Sequence, residues 1–467
     1  MSFLCTYGQV LSDVTLDLNS GGEVYDVAFD EYRDLYIIVG NFNSVQGQSR
    51  NNFAILDGTS LQLSNENPIT QINGVIRAVE IAHWSTQGQM YEFVYIGGDF
   101  TSINGNNNNN WSQRYLARLS FATGNLNSSS YSLNNWDPNN YFYDNGQWPG
   151  VGVNDLLITG DTLIAIGAID YEDPINYYSS ILGFSAGPGT AGSTHLQNFF
   201  FNYSPGEPGS CGDINFGNDH WNICEANAGF YINGNMHFDY NGVFTNFNYD
   251  FDGCGSVTCN MYDITIHESS QDTIVFGFKR YAASSGLVAY ELDGSQLNCP
   301  FASTLPIILQ NSDGFVERYK DYVFIAEESQ IDLFERTSTD PISPNISFIG
   351  NPFWRGNLFN DVWNPQKIKR IRNRLFVSGP NLTSIDGNPR NGLAVICLEP
   401  GDPSFFNNFD TLICEGESAI YTIPPVEYAE GYFWEYSGTG AMYREANSGD
   451  PFQSLSAVNI SSLSGNS

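Results

Sequence analysis

Gly183-Phe-Ser-Ala-Gly187 has the G-x-S-x-G spacing that sets a nucleophilic serine on a strand-to-helix elbow. The elbow needs a helix straight after the serine, and Pro188-Gly-Thr-Ala-Gly192 cannot propagate one. Serine chemistry is therefore set aside. Asn248-Tyr-Asp-Phe-Asp-Gly253 opens like a calcium loop, with Asn248, Asp250 and Asp252 at alternating oxygen-donor positions. The twelfth position of such a loop is a bidentate Glu, but here it is Cys259. Asx-turn chemistry accounts for the same cluster without a metal. Structural calcium at these three residues is the one cofactor candidate, and otherwise none is expected.

The histidines (His83, His195, His220, His237 and His267) stand apart, with no H-x-H or H-E-x-x-H spacing. Cys211, His220, Cys224 and His237 make a metal set on paper. A Cys211–Cys224 disulfide beside two ordinary histidines is favoured over it, because no C-x-x-C marks a zinc or redox site. The cysteines are even in number, 8, and Cys254 and Cys259 form a second close pair. That pattern points to disulfides in an oxidising compartment, the other reading being buried thiols. Among 51 Asp and Glu none is marked out as an acid/base pair, and no residue is assigned a catalytic role.

A binding surface is the better-founded expectation. Between Asn134 and Trp148 the chain carries Trp136, Tyr141, Tyr143 and Trp148, whose ring faces suit the C–H faces of sugars. The competing reading is a long connection pinned by its own rings. Net charge is −33, with 18 Lys and Arg, so a nucleic-acid or anionic lipid surface is repelled. Disorder is excluded by 41% hydrophobic and 15% aromatic residues. Lys367-Ile-Lys-Arg-Ile-Arg-Asn-Arg374 concentrates basic residues on what reads as a strand and its turn. It either neutralises acidic neighbours or receives an acidic partner. No apolar run is long enough to span a membrane. Residues 1–20 lack the layout of a signal peptide, so a secreted protein would be represented here by a mature or truncated chain.

The elements behind these residues follow from one phrase in three copies: Val39-Gly-Asn-Phe-Asn-Ser-Val-Gln-Gly47, Gly97-Gly-Asp-Phe-Thr-Ser-Ile-Asn-Gly105 and Gly379-Pro-Asn-Leu-Thr-Ser-Ile-Asp-Gly387. Each stops an apolar run at glycine and turns back into a second run: Phe53-Ala-Ile-Leu-Asp57, Leu116-Ala-Arg-Leu-Ser120 and Leu393-Ala-Val-Ile-Cys397. The second copy has five more residues, Asn106 to Asn110. A strand–turn–strand unit recurring at more than about forty residues is a propeller or solenoid signature. The phrase resembles the secreted bacterial β-propeller repeat whose blades read GG-x-F-T-x-x-N-G, then R-N-x-L-A-R-L. The resemblance covers 39–57, 97–119 and 379–396.

The predicted fold is all-β: a seven-bladed propeller over residues 1–403, six blades being the alternative. A lone strand, Val10–Leu18, is expected to complete the blade that holds Leu393–Leu398 and so remove its open edge. A blade is expected behind the irregular stretch 199–255. Residues 404–467 resemble the start of a PKD/Ig-like β-sandwich of large Bacteroidota surface proteins, with Trp434 as its core residue. About 60 residues remain where a sandwich takes about 100, so the module reads as cut short. The resemblance implies a non-catalytic, extracellular cell-surface adhesin, as in gliding and type IX secretion, or a structural propeller within a longer chain. Its partners would be a surface protein or glycan and the downstream modules, with no nucleic acid and no membrane span. The alternatives are an extracellular carbohydrate-active glycosidase or lyase on a propeller scaffold and a structural protein of a virus infecting such bacteria.

Overall fold

A computed structural model describes residues 10–12, 14–86, 89–105, 110–111, 113–121, 131–133, 136, 152–168, 181–186, 223–226, 229–232, 236–238, 260–268, 273–281, 284–291, 315–319, 322–327, 330–336, 346–350, 367–372, 374–380, 382–385, 388–398, 418–422, 441–445 and 457–462. All their regular structure is β, with no helix among them. Two compact units are formed. One comprises Met1–Leu11, Ile371–Leu375 and Ile396–Ser467, the other Ser12–Arg370 and Phe376–Val395.

Seven antiparallel meanders follow one another among the described residues. The first is Glu23–Asp30, Leu35–Asn41 and Phe53–Asp57. The second is Ile76–Thr86, Gln89–Gly98, Leu116–Phe121 and Tyr131–Leu133. The third is Gly152–Thr159, Thr162–Ala168 and Ile181–Ser185. The fourth, Ile223–Ala226, Gly229–Ile232 and Met236–Phe238, lies in the stretch that was expected to hide a blade. The fifth is Asn260–Glu268, Thr273–Tyr281 and Ser284–Glu291. The sixth adds Ile346–Gly350, unread in the sequence, to Phe315–Tyr319, Tyr322–Glu327 and Gln330–Arg336. The seventh uses Lys367–Ile371, Arg374–Ser378 and Leu393–Cys397.

Within the larger unit the sheets pack face to face. Ile37, Val39, Phe53 and Ile55 of the first sheet meet Val79, Val94, Ile96 and Leu119 of the second. The opposite face of the second, with Ala78, Phe93 and Tyr95, meets Leu163, Ala165, Leu182 and Phe184 of the third. Both faces are covered, so strands read as unbroken apolar runs; Tyr36 to Val39 and Phe53 to Leu56 are all buried. First strands neighbour one another in order: 23–30 by 76–86, then 152–159, 223–226, 260–268 and 315–319. Beyond them, Arg370 N donates to Glu317 Oε2 at 3.0 Å, and Lys369 Nζ meets Asp26 Oδ1 at 2.6 Å. The basic run thus neutralises an acidic neighbour through Lys369.

Each of the first three meanders has a bulge near the start of its first strand, between Val24 and Asp26, Ile76 and Ala78, and Val153 and Asp155. The second strand answers the bulge with glycine. A Cβ at Gly40 would overlap the Glu23 carbonyl oxygen, and one at Gly98 the Val75 carbonyl oxygen. At the same end of the strands the repeated phrase folds into a plug. Phe42, Phe100 and Leu382 are buried, as are Val45, Ile103 and Ile385. Their carbonyls at 42, 100 and 382 accept from the N–H of Asn52, Tyr115 and Gly392. Those three residues share the left-handed region, at φ 61°, 63° and 75°.

The expected strand Val10–Leu18 is shorter than predicted. Val10–Leu11 pairs with Ile396 and Cys397, the sheet anticipated, but beyond it the chain leaves the ladder, and Leu18 bridges Val45 in the first plug. Leu61–Leu63, anticipated as a strand, makes a single bridge from Leu63 to Leu56. At the other end of the chain a separate three-stranded sheet has the order Ser418–Thr422, Ala457–Ser462, Ala441–Glu445. Trp434 lies outside the described residues.

Candidate functional site

The expected aromatic binding loop is corrected at its first residue. Trp136 is 0% exposed and meets Tyr95 and Phe184 edge-on, at centroid distances of 5.3 and 5.9 Å. The Arg118 guanidinium, itself buried, sits 4.4 Å from the Phe93 ring centroid and 5.4 Å from that of Trp136. Burial is the lower free-energy use of so large an apolar ring, and it leaves no face for a sugar. Tyr141, Tyr143 and Trp148 lie outside the described residues, as do Asn248, Asp250, Asp252, Cys211, Cys254 and Cys259. Cys224 lies in the strand Ile223–Ala226, opposite Tyr231 in the backbone register. Ser185 of the G-x-S-x-G sequence pairs with Thr162 as the last residue of a strand, and Ala186 N continues by donating to Asp161 O.

The structure instead assembles a cluster that no local motif marks: Asp30, His83 and Glu92. Asp30 ends the first strand of the first sheet. Its Oδ1 accepts from Tyr32 N at 3.0 Å and Arg33 N at 3.2 Å, which fixes the following turn. His83 and Glu92 are directly opposed on the long hairpin of the second sheet. His83 Nε2 stands 3.4 Å from Asp30 Oδ1 and 3.8 Å from Glu92 Oε2. Asp30 and Glu92 are buried, and the three groups bring one ligand atom each within 4.8 Å of the others. Among the described residues this is the one group of His, Cys, Asp or Glu arranged to hold a metal ion. Tyr32, among the described residues the large hydrophobic one most open to solvent at 64%, tilts over His83 with centroids 4.5 Å apart. The cluster lies at the end of the strands opposite the plugs.

Asp26 bonds both to the backbone and to a lysine. Asp26 Oδ1 accepts from its neighbour Val27 N at 2.8 Å and from Lys369 Nζ, while Oδ2 accepts from Val79 N at 2.9 Å in the next sheet. Burial by itself would lower the Lys369 pKa, but the Asp26 and Glu80 carboxylates outweigh it and hold the ammonium above the ordinary lysine value. Burial pushes the Tyr95 phenol up, and its hydroxyl donates to Ala186 O at 2.7 Å.

No family model matches the chain, and no curated protein does. Similar solved structures include the AfRom2 CNH domain (TM-score 0.40, 10% identity, 85% of this chain and 100% of that one). A thermostable family-43 glycoside hydrolase follows at TM-score 0.25 and 10% identity over 74% of this chain and 96% of that one. Pyrococcus horikoshii acylaminoacyl peptidase has TM-score 0.22 and 8% identity over 76% and 57%. Likeness at this level carries no statement about function.

Proposed function

We propose that residues 1–403 form a closed seven-bladed β-propeller acting as a rigid, non-catalytic recognition or structural platform at a cell surface. The supporting observation is a bond pattern repeated where the chain would close. In the first sheet, Ser64 N donates to Ile55 O, and Arg50 Nη2 donates to Ser64 O. In the last, Ser12 N donates to Val395 O, and Arg390 Nη2 donates to Ser12 O. In the second, Gln113 Nε2 donates to Trp136 O. Residue 12, near the start of the chain, therefore takes the place in the last sheet that residue 64 takes in the first. The next link repeats as well. Asn73 Oδ1 accepts from Thr101 N and Ser102 N of the following plug, as Asn19 Oδ1 does from Asn43 N and Ser44 N.

The same bonds favour a platform over an enzyme. Arg50, Arg390 and Gln113 donate to main-chain carbonyls of their own sheets, Asn19 and Asn73 accept from main-chain N–H groups of the plug that follows, and Asp26 accepts from Val79 N of the next sheet. Residues 404–467 then continue into a PKD/Ig-like module of a longer extracellular chain. Binding to glycan arrays and to intact cell surfaces tests the reading; ligand captured without turnover is expected. Release of reducing sugar that a single Asp or Glu substitution abolishes would replace the platform with a carbohydrate-active enzyme. The location carries its own prediction. Cys211–Cys224 and Cys254–Cys259 should emerge as linked peptides in non-reducing digests, whereas free thiols at all four positions would contradict an oxidising compartment.

A further inference from the structure

We propose that Asp30, His83 and Glu92 bind a divalent cation of the zinc class that ties the first sheet to the second. Three observations converge. The donor set is one imidazole nitrogen and two carboxylates, which suits zinc and its neighbours over calcium or magnesium. The spacing suits it too. Bonds of about 2.0–2.1 Å at the tetrahedral angle put ligand atoms roughly 3.4 Å apart, and Nε2 lies 3.4 Å from Asp30 Oδ1 and 3.8 Å from Glu92 Oε2. Finally, His83 Nε2 is buried and makes no hydrogen bond, although it stands 3.4 Å from Asp30 Oδ1 and 3.8 Å from Glu92 Oε2. The ligands come from different sheets, Asp30 from the first, His83 and Glu92 from the second. A bound cation is therefore a cross-link as well as a charge balance. Three protein donors leave a fourth position for water or for an oxygen of a bound partner.

Calorimetric titration of the chelator-stripped, tag-free full chain with zinc chloride tests the site. One equivalent per chain is expected, with a rise in melting temperature, and calcium chloride should give neither. His83→Ala and Glu92→Gln should each weaken zinc binding by more than about 100-fold, beyond the 10–100-fold typical of second-shell changes. Tyr32→Ala should keep the stoichiometry. Should a ligand variant fail to fold, the visible spectrum of the cobalt-loaded wild type still decides: tetrahedral bands without thiolate charge transfer support the site. Thiolate bands, no stoichiometric zinc binding, tighter binding of calcium, or undiminished binding in both folded variants would each overturn it.

Discussion

Removing residues 1–19 is expected to leave a chain that unfolds or aggregates under conditions where the full chain is native. Leu16 and Leu18 are 1% and 5% exposed, and each leucine lost from a core costs about 2–5 kcal/mol. The deletion also strips the Val395 carbonyl of the Ser12 N–H, the Arg390 guanidinium of the Ser12 carbonyl, and the first plug of the Asn19 side chain. The sum approaches the whole stability of a typical domain, about 5–15 kcal/mol. Urea unfolding of the chain 20–467, with and without a synthetic peptide covering residues 8–22, measures the effect. A lowered midpoint that the peptide restores is the expected outcome. An unchanged midpoint without the peptide would mean that the N-terminal segment closes nothing.

The second large effect is at Asp26. Asp26→Ala leaves the Lys369 ammonium without its nearest carboxylate and two buried N–H groups without an acceptor, at a cost of about 3–5 kcal/mol. Lys369→Met should cost less, and the double variant less than the sum, because one interaction is removed twice. The pH dependence has a definite sign. The Lys369 pKa is raised in the folded state, so its contribution is complete below the ordinary lysine value. That contribution fades as pH climbs through the raised value, and Asp26→Ala should flatten this alkaline loss. A change of less than about 1 kcal/mol in Asp26→Ala would show that the aspartate is not a junction.

The strands were legible because burial on both faces writes itself into sequence as apolar runs closed by glycine, as at Tyr36 to Gly40 and Phe53 to Asp57. The phrase around Phe42, Phe100 and Leu382 was legible because one backbone geometry demands similar residues in each copy. The His83 cluster was not. Asp30 belongs to another sheet, and His83 meets Glu92 only through the hairpin register. One signal was available: with Thr86 paired to Gln89, counting outward along the two strands places His83 opposite Glu92. Trp136 misled because an aromatic residue among Asn and Pro reads as an exposed loop. Its burial is set by Arg118 and Phe184, which sequence proximity does not reveal.

The bond between the Phe100 carbonyl and the Tyr115 amide spans five more residues than its counterpart between Phe42 and Asn52, yet both close at 2.8–2.9 Å. Segment length at that rim is therefore decoupled from the frame that carries it. Length can thus be added to such a segment without shifting the sheets around it. The tip of the first hairpin, with φ 48° and 73° at Gln46 and Gly47, is by contrast held in place, since Gln46 N donates to Asp17 O and its side chain bonds to Leu61 O and Leu63 N. In that sense the second tip is a place for display, where added length enters between two hydrogen-bonded ends that stay fixed.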